Sequence, residues 1–167
     1  MIKELVDFKY IEYNELFIDN LLDKGNAEVF KGTYNEKDIA IKKYEYDEFN
    51  INEIIKELVI GSNTESERLM KTYGYSYDKE KEYLYLIMEY INSSDLGKYI
   101  SSYYDEDYEY CLPLETKLSI IKSVLKSIRD MWVEGIVHGD LKPLNLAIHR
   151  RNDEIFIKII DYGTCEY

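Results

Sequence analysis

The stretch HGDLKPLN, residues 138–145, decides how the rest of the chain is read. It brings an imidazole (His138), an acid (Asp140), a cation (Lys142) and an amide (Asn145) into one short loop between a helical run and an apolar, strand-like run. A second acid, Asp161, closes the run IFIKIID at 155–161, which reads as a buried strand. Loop Asp and Asn side chains offer oxygen ligands, and oxygen ligands together with substrate phosphates are how Mg²⁺ is usually held. A capped turn carrying solvated acids is the competing account of any one of these residues, though less so of the ordered set.

Working outward, the loop is preceded by a long helix opened by Pro113. Leu114, Leu118, Ile121, Leu125, Ile128 and Trp132 recur at spacings of four and three, one face of a helix, and such a stripe predicts core packing. Further upstream, AEVFKGT (27–33) and DIAIKKY (38–44) read as a hairpin turning at Asn35-Glu36-Lys37. Residues 47–61 read as an amphipathic helix with Phe49, Ile51, Ile54, Ile55, Leu58 and Val59 on its apolar side. MKTYGYSYD (70–78) and EYLYLIMEYI (82–91) read as two more strands, and NSSDLG (92–97) as the polar start of a helix reaching about Ser102. YYDEDYEY (103–110) reads as a solvated acidic loop. A strand-rich part, a polar joint near residue 92 and a helix-rich part make an α+β, two-lobed plan.

Composition limits the function. The chain of 167 residues has 46% hydrophobic and 32% charged residues, which is globular. A formal net charge of −12 argues against a broad nucleic-acid-binding face and against docking on anionic membranes, while leaving room for a local positive pocket. Cys111 and Cys165 are far apart and make no metal-ligand spacing with each other or with His138 and His149, so a reduced, cytoplasmic protein is expected. MIKELVDFKY lacks the apolar core of a signal peptide, and no segment approaches the ~18 apolar residues of a membrane span.

Several pieces acquire meaning together. KGNAEVFKG (24–32) carries Gly25 and the small Ala27 in a turn, where backbone N–H groups could approach phosphate. IAIK (39–42) ends in Lys42, and the following helix offers Glu57, able to pair with a lysine that also holds phosphate. Then come LYLIMEYI, IVHGDLKPLNLAI and IIDYGT. In this order and at these spacings the motifs resemble the eukaryotic-type protein kinase family over nearly the whole chain, up to its Asp-Phe-Gly region, with a loop of the Ser/Thr type. The resemblance implies a complete N-lobe (1–91) and a partial C-lobe (92–167). It also implies ATP and Mg²⁺ as cofactors and a protein substrate bearing a Ser or Thr hydroxyl. Asp140 would accept or orient the substrate proton and Lys142 would steady the γ-phosphoryl. Asn145 and Asp161 would hold Mg²⁺. Lys42, paired with Glu57 (Glu53 as the fallback), would hold the α- and β-phosphates. Gly25, Ala27, Val29 and Ala40 would line the nucleotide, with Met88 as gatekeeper and backbone groups of Glu89 and Ile91 meeting adenine.

The chain departs from the family pattern in places. The glycine loop lacks three spaced glycines, Tyr162 stands for Phe, and Gly139 stands for the loop arginine. In the family that arginine normally pairs with a phosphorylated segment that follows the Asp-Phe-Gly region, so Gly139 reads as the loss of a regulatory partner. The helix stripe at 114–132 normally packs on helices that come later still, so it is expected to be exposed or covered by a second chain. Gly61 and Thr72 fall where larger apolar side chains are expected behind Glu57. Two rival functions stay open. One is a pseudokinase-like module that binds nucleotide or a partner without turnover. The other is a compact phosphotransferase acting on small alcohols, since His-Gly-Asp loops occur in such enzymes.

Overall fold

The computed structural model describes residues 5–25, 27–45, 51–104 and 111–166. These fall into two compact units, Met1–Thr64 with Lys71–Ile91, and Glu65–Met70 with Asn92–Tyr167.

The first unit is built on a five-stranded antiparallel sheet. Its strands are β1 (Phe17–Lys24), β2 (Glu28–Tyr34), β3 (Lys37–Glu45), β4 (Thr72–Asp78) and β5 (Tyr83–Glu89), in the order β1-β2-β3-β5-β4. Helix α1 (Ile51–Asn63) follows β3. Residues 46–50, including the expected Phe49, lie outside the described residues. The β2–β3 hairpin turns on Asn35 and Glu36 alone, both at positive φ (49° and 62°), so Lys37 already pairs with Tyr34. Two successive left-handed residues are what a tight hairpin needs to match strand twist, and Asn tolerates that conformation.

Period-two alternation sorts β3 onto two faces. Ile39 and Ile41 join Ile11, Leu16, Tyr85 and Ile87 in one core cluster. Ala40, Lys42 and Tyr44 point the other way, where Glu57 of α1 meets Lys42 and Tyr44. Gly32 serves the sheet: a Cβ there would lie 2.4 Å from the Phe17 carbonyl oxygen and 2.6 Å from the Ile41 side chain. β1, which the sequence pattern does not single out, is solvent-exposed along its length, so it carries no buried alternation to detect.

The second unit has a small antiparallel sheet of β6 (Ser94–Asp95), β7 (Leu146–Arg151) and β8 (Glu154–Ile159), with α2 (Leu96–Ser101) and α3 (Leu114–Val133). Asp95 caps α2 by accepting the Lys98 N–H at 2.8 Å. Residues 65–70 belong here rather than with the first unit because they complete the open edge of β8. Ile159 donates to the Arg68 carbonyl at 2.9 Å, and Met70 donates back to Ile159 at 2.9 Å. Of the acidic stretch 103–110, residues 105–110 lie outside the described residues.

Helix α3 corrects the expectation of core packing and bears out the expectation that its apolar stripe is exposed. Its apolar stripe does not form core within its unit: Leu114 is 69% and Trp132 75% exposed, and Leu118, Ile121, Leu125 and Ile128 are exposed too. The buried face is Ile120, Ser123, Ser127 and Met131. The serines explain the choice. Ile157 of β8 donates to Ser123 Oγ at 2.9 Å, and its carbonyl accepts from Ser127 Oγ at 2.8 Å. The helix therefore satisfies backbone groups of a strand edge, which leucines could not do.

Candidate active site

The sequence-predicted residues form two groups, one in each unit. In the first, Lys42 Nζ lies 2.5 Å from Glu57 Oε1, and the Glu57 carboxylate is only 2% exposed. Glu53, the fallback, is exposed in the first turn of α1. Tyr44, two residues after Lys42 and so on the same strand face, donates its hydroxyl to the same Oε1 at 2.7 Å. Burial, and then the adjacent Glu57 carboxylate, push the Tyr44 phenol well above the usual tyrosine range, so it remains a donor at any physiological pH.

α1 is seated on β4 by an unusually close approach. The Thr72 hydroxyl donates to the Glu57 carbonyl at 3.2 Å, and Ser62 Oγ donates to the Thr72 carbonyl at 3.4 Å. A Cβ on Gly61 would sit 2.1 Å from Thr72 Oγ1 and 2.9 Å from Thr72 N. Gly61 and Thr72 are thus a tight, hydroxyl-pinned contact rather than a weakly packed one.

The other nucleotide candidates lie along the same sheet. Val29 is opposite Lys42, and Ala40 is opposite Met88. Glu89 ends β5; its N–H donates to the Lys71 carbonyl at 3.0 Å and its carboxylate accepts the Lys71 N–H at 2.7 Å. Its backbone N–H is therefore committed within the unit, which narrows the expected adenine contact at Glu89 to the carbonyl. Ile91 lies just beyond the strand. Gly25 and Ala27 flank the β1–β2 turn, and a Cβ on Gly25 would meet only Asp23 Oδ2, at 3.6 Å, so space does not demand glycine there.

In the second unit, the loop after α3 is tied to itself. Lys142 Nζ contacts Asp140 Oδ2 at 2.5 Å, and this hydrogen bond holds the exposed Asp140 carboxyl below its usual range. Asn145 is buried and donates its amide N–H to the Asp140 carbonyl at 2.9 Å, which directs its Oδ1 away from that bond. The Asn145 backbone carbonyl accepts from Ile160 at 3.1 Å, linking the loop to the end of β8. Asp161 follows, with Oδ1 accepting the Gly163 N–H at 3.3 Å. Tyr162 is buried, and its hydroxyl donates to the Met70 carbonyl at 3.0 Å, a partner that phenylalanine would leave unmet. His138 Nδ1 accepts the Asp140 N–H at 3.3 Å, and burial pushes its imidazole below the usual histidine range, against the opposing pull of Asp161.

Gly139 has a local cause that the sequence does not reveal. Its φ is +78°, and a Cβ would lie 2.7 Å from the Thr164 carbonyl oxygen. Residues 164–166 run back against the loop: Thr164 Oγ1 donates to the His138 carbonyl at 2.9 Å, and Val137 and Glu166 exchange two backbone hydrogen bonds of 2.8 Å. A side chain at 139 is excluded by this return as well as by the backbone conformation.

No cluster of three or more His, Cys, Asp or Glu side chains suited to a metal occurs among the described residues. That is compatible with Mg²⁺, which takes one or two carboxylates and completes its shell with phosphates and water. Asn145 Oδ1 and the Asp161 carboxylate are oxygen donors of the required kind.

A comparison of the whole chain decides its family. The profile described as protein kinase domain matches residues 23–167. The chain belongs to the protein kinase family. Over 166 residues it is 30% identical to a Dictyostelium discoideum protein named as a probable LIM domain-containing serine/threonine-protein kinase, covering 97% of this chain and 24% of that protein. Over 153 residues it is 31% identical to an L-type lectin-domain containing receptor kinase of Arabidopsis thaliana, covering 87% of this chain and 22% of that protein. This kinase-family chain thus spans about a quarter of the length of these curated relatives. The five-stranded sheet with α1 and the smaller second unit are a partial two-lobed kinase fold. No helix among the described residues is long and apolar enough to cross a membrane.

Proposed function

We propose that this chain carries the nucleotide-binding and catalytic-loop residues of a Ser/Thr-type protein kinase, which transfers the γ-phosphoryl of Mg-ATP to a protein hydroxyl. The observation that carries this reading is the Lys42–Glu57 pair: a nearly fully buried carboxylate fixing a lysine at 2.5 Å on the inner face of a sheet. Lys42 would hold the α- and β-phosphates, with Val29 and Ala40 against adenine, Met88 behind it, and the Glu89 carbonyl and Ile91 N–H at its polar edge. Asn145 and Asp161 would hold Mg²⁺, which when bound neutralises phosphate charge. Asp140, kept ionised by Lys142, would take the proton of the substrate hydroxyl as its oxygen bonds to the γ-phosphorus and the bond to the ADP oxygen breaks. Lys142 would then steady the transferring group. A cytoplasmic setting and protein substrates belong to this reading, and the net charge of −12 disfavours a nucleic-acid substrate.

The test is a thermal melt with and without Mg-ATP on the wild type and on Asp161→Ala, followed by a transfer assay on Asp140→Ala. At a hundredfold excess over Kd a bound ligand stabilises by about 2.7 kcal/mol. The expected result is a shift in the wild type only, and an Asp140→Ala variant that still binds but no longer transfers. A second reading, nucleotide binding without turnover, is favoured by the Lys142 ammonium already occupying Asp140 Oδ2. It predicts the same melts with no transfer by the wild type.

A further inference from the structure

Glu57 receives two donors on one oxygen. Lys42 Nζ approaches Oε1 at 2.5 Å and Tyr44 Oη at 2.7 Å, and the carboxylate is shut off from water. The two donors differ in what else they can do. The Lys42 side chain is 14% exposed, so unlike the Glu57 carboxylate it is not wholly enclosed. Tyr44 is buried, its ring lies 5.3 Å from the Lys42 ammonium, and its phenol cannot ionise at working pH. A buried carboxylate is costly to leave short of a donor, so a lysine turned partly toward a phosphate would carry a penalty that opposes phosphate binding unless another donor stays in place.

Resting on the reading that Lys42 engages the phosphates of ATP, we propose that Tyr44 is a positioning residue that acts through Glu57. Its hydroxyl keeps the buried carboxylate satisfied and aimed while Lys42 is shared with the nucleotide. The device has three members from two elements: Lys42 and Tyr44 from alternate positions of β3, Glu57 from α1. Period-two geometry supplies the placement, since a strand puts residues two apart on one face. The α1 backbone is held independently, by Thr72 donating to the Glu57 carbonyl, so the carboxylate rather than the helix is what Tyr44 controls.

The experiment is a double-mutant cycle of Tyr44→Phe and Glu57→Gln, read as the dissociation constant of Mg-ATP. Each protein is measured at a temperature where its own melt shows it folded. Tyr44→Phe keeps the ring and removes the hydroxyl, which meets Lys42 as well as Glu57. It is expected to weaken Mg-ATP binding about tenfold, the scale of one hydrogen bond to a charged group. In the Glu57→Gln background the same change is expected to alter affinity less than twofold, because the charge that Tyr44 serves is gone. A Tyr44→Phe protein that binds as the wild type does overturns the inference. So does an equal loss in both backgrounds, which assigns Tyr44 a packing role unrelated to Glu57. A wild type that melts cooperatively yet has no affinity for Mg-ATP overturns the nucleotide reading itself, and the inference with it.

Discussion

Gly61→Ala is the perturbation with the clearest opposing magnitudes. In an exposed helix interior this change stabilises by roughly 1 kcal/mol, because alanine is the better helix former. Here the new methyl would start 2.1 Å from Thr72 Oγ1, 2.7 Å from Thr72 Cβ and 2.9 Å from Thr72 N. A rotamer change can move the hydroxyl but not the backbone nitrogen, so α1 must lift from β4 by on the order of 1 Å to reach ordinary contact distances. Overpacking of this kind costs typically about 1–3 kcal/mol, and the helix-propensity gain offsets only part of it. A net loss of up to about 2 kcal/mol is expected, read as a urea midpoint lowered by up to roughly 1 M. The displacement also reaches the site. Glu57 lies one turn before Gly61 on the same face of α1, so lifting the helix draws its carboxylate from Lys42, now 2.5 Å away, toward the limit of a hydrogen bond. A 1 Å misplacement of positioning groups can lower transfer by on the order of a hundredfold. A Gly61→Ala protein as stable as the wild type or more so, with unchanged Mg-ATP affinity, would refute the close-approach reasoning.

Three further predictions test other parts of the structure. Ser127→Ala removes the buried hydroxyl that serves the Ile157 carbonyl and should lower unfolding free energy by about 1–3 kcal/mol, whereas Leu118→Gln or Leu125→Gln on the opposite face should change it by no more than about 0.5 kcal/mol; equal losses on both faces would contradict the observed orientation of α3. Gly139→Arg forces a side chain onto a residue at φ +78° and into the Thr164 carbonyl, and urea denaturation should show a loss of about 1–3 kcal/mol. Lys142→Met removes the main cause of the lowered Asp140 pKa, so the Asp140 carboxyl followed by carbon NMR should titrate at higher pH in the variant, because losing the ammonium and its hydrogen bond disfavours the ionised form.

The strands and helices most visible in the sequence are those whose periodicity has one cause. The alternation in IAIK puts Lys42 on a definite face, and the turn residues Asn35 and Glu36 mark the hairpin. The ordered motifs around Asp140, Asn145 and Asp161 make the family legible, because they resemble the family's loop motifs in type and order, and the kinase-domain profile spans them. Tyr44 escapes a sequence reading although the same alternation places it beside Lys42: in a chain with 18 tyrosines one more carries no compositional signal. Gly139 reads as a lost arginine because its contact with the returning Thr164 carbonyl is distant in sequence and leaves no local signal. For α3 the sequence supports two readings of the apolar stripe, core packing and exposure, and the stripe is exposed. Periodicity reports that a helix has an apolar side; it does not report which side its own unit buries when serines on the other side meet an open strand edge.

The Glu57 carboxylate shows why these local devices belong together. Removing one partner of a buried ion pair is typically destabilising by about 3–5 kcal/mol, so the fold tolerates a charge there only if its donors are fixed in place. β3 fixes Lys42 and Tyr44 by pairing along its length with both β2 and β5. Thr72 fixes α1 through the Glu57 carbonyl, and Gly61 permits that approach by having no side chain. A larger residue at 61, an apolar one at 72 or a phenyl ring at 44 would each suit a generic hydrophobic core at least as well. Each would also loosen the same carboxylate. The residues that look least like core around α1 are therefore the ones that hold the Lys42–Glu57 pair, and the stability of the first unit and the geometry of its candidate phosphate-binding lysine rise and fall with the same contacts.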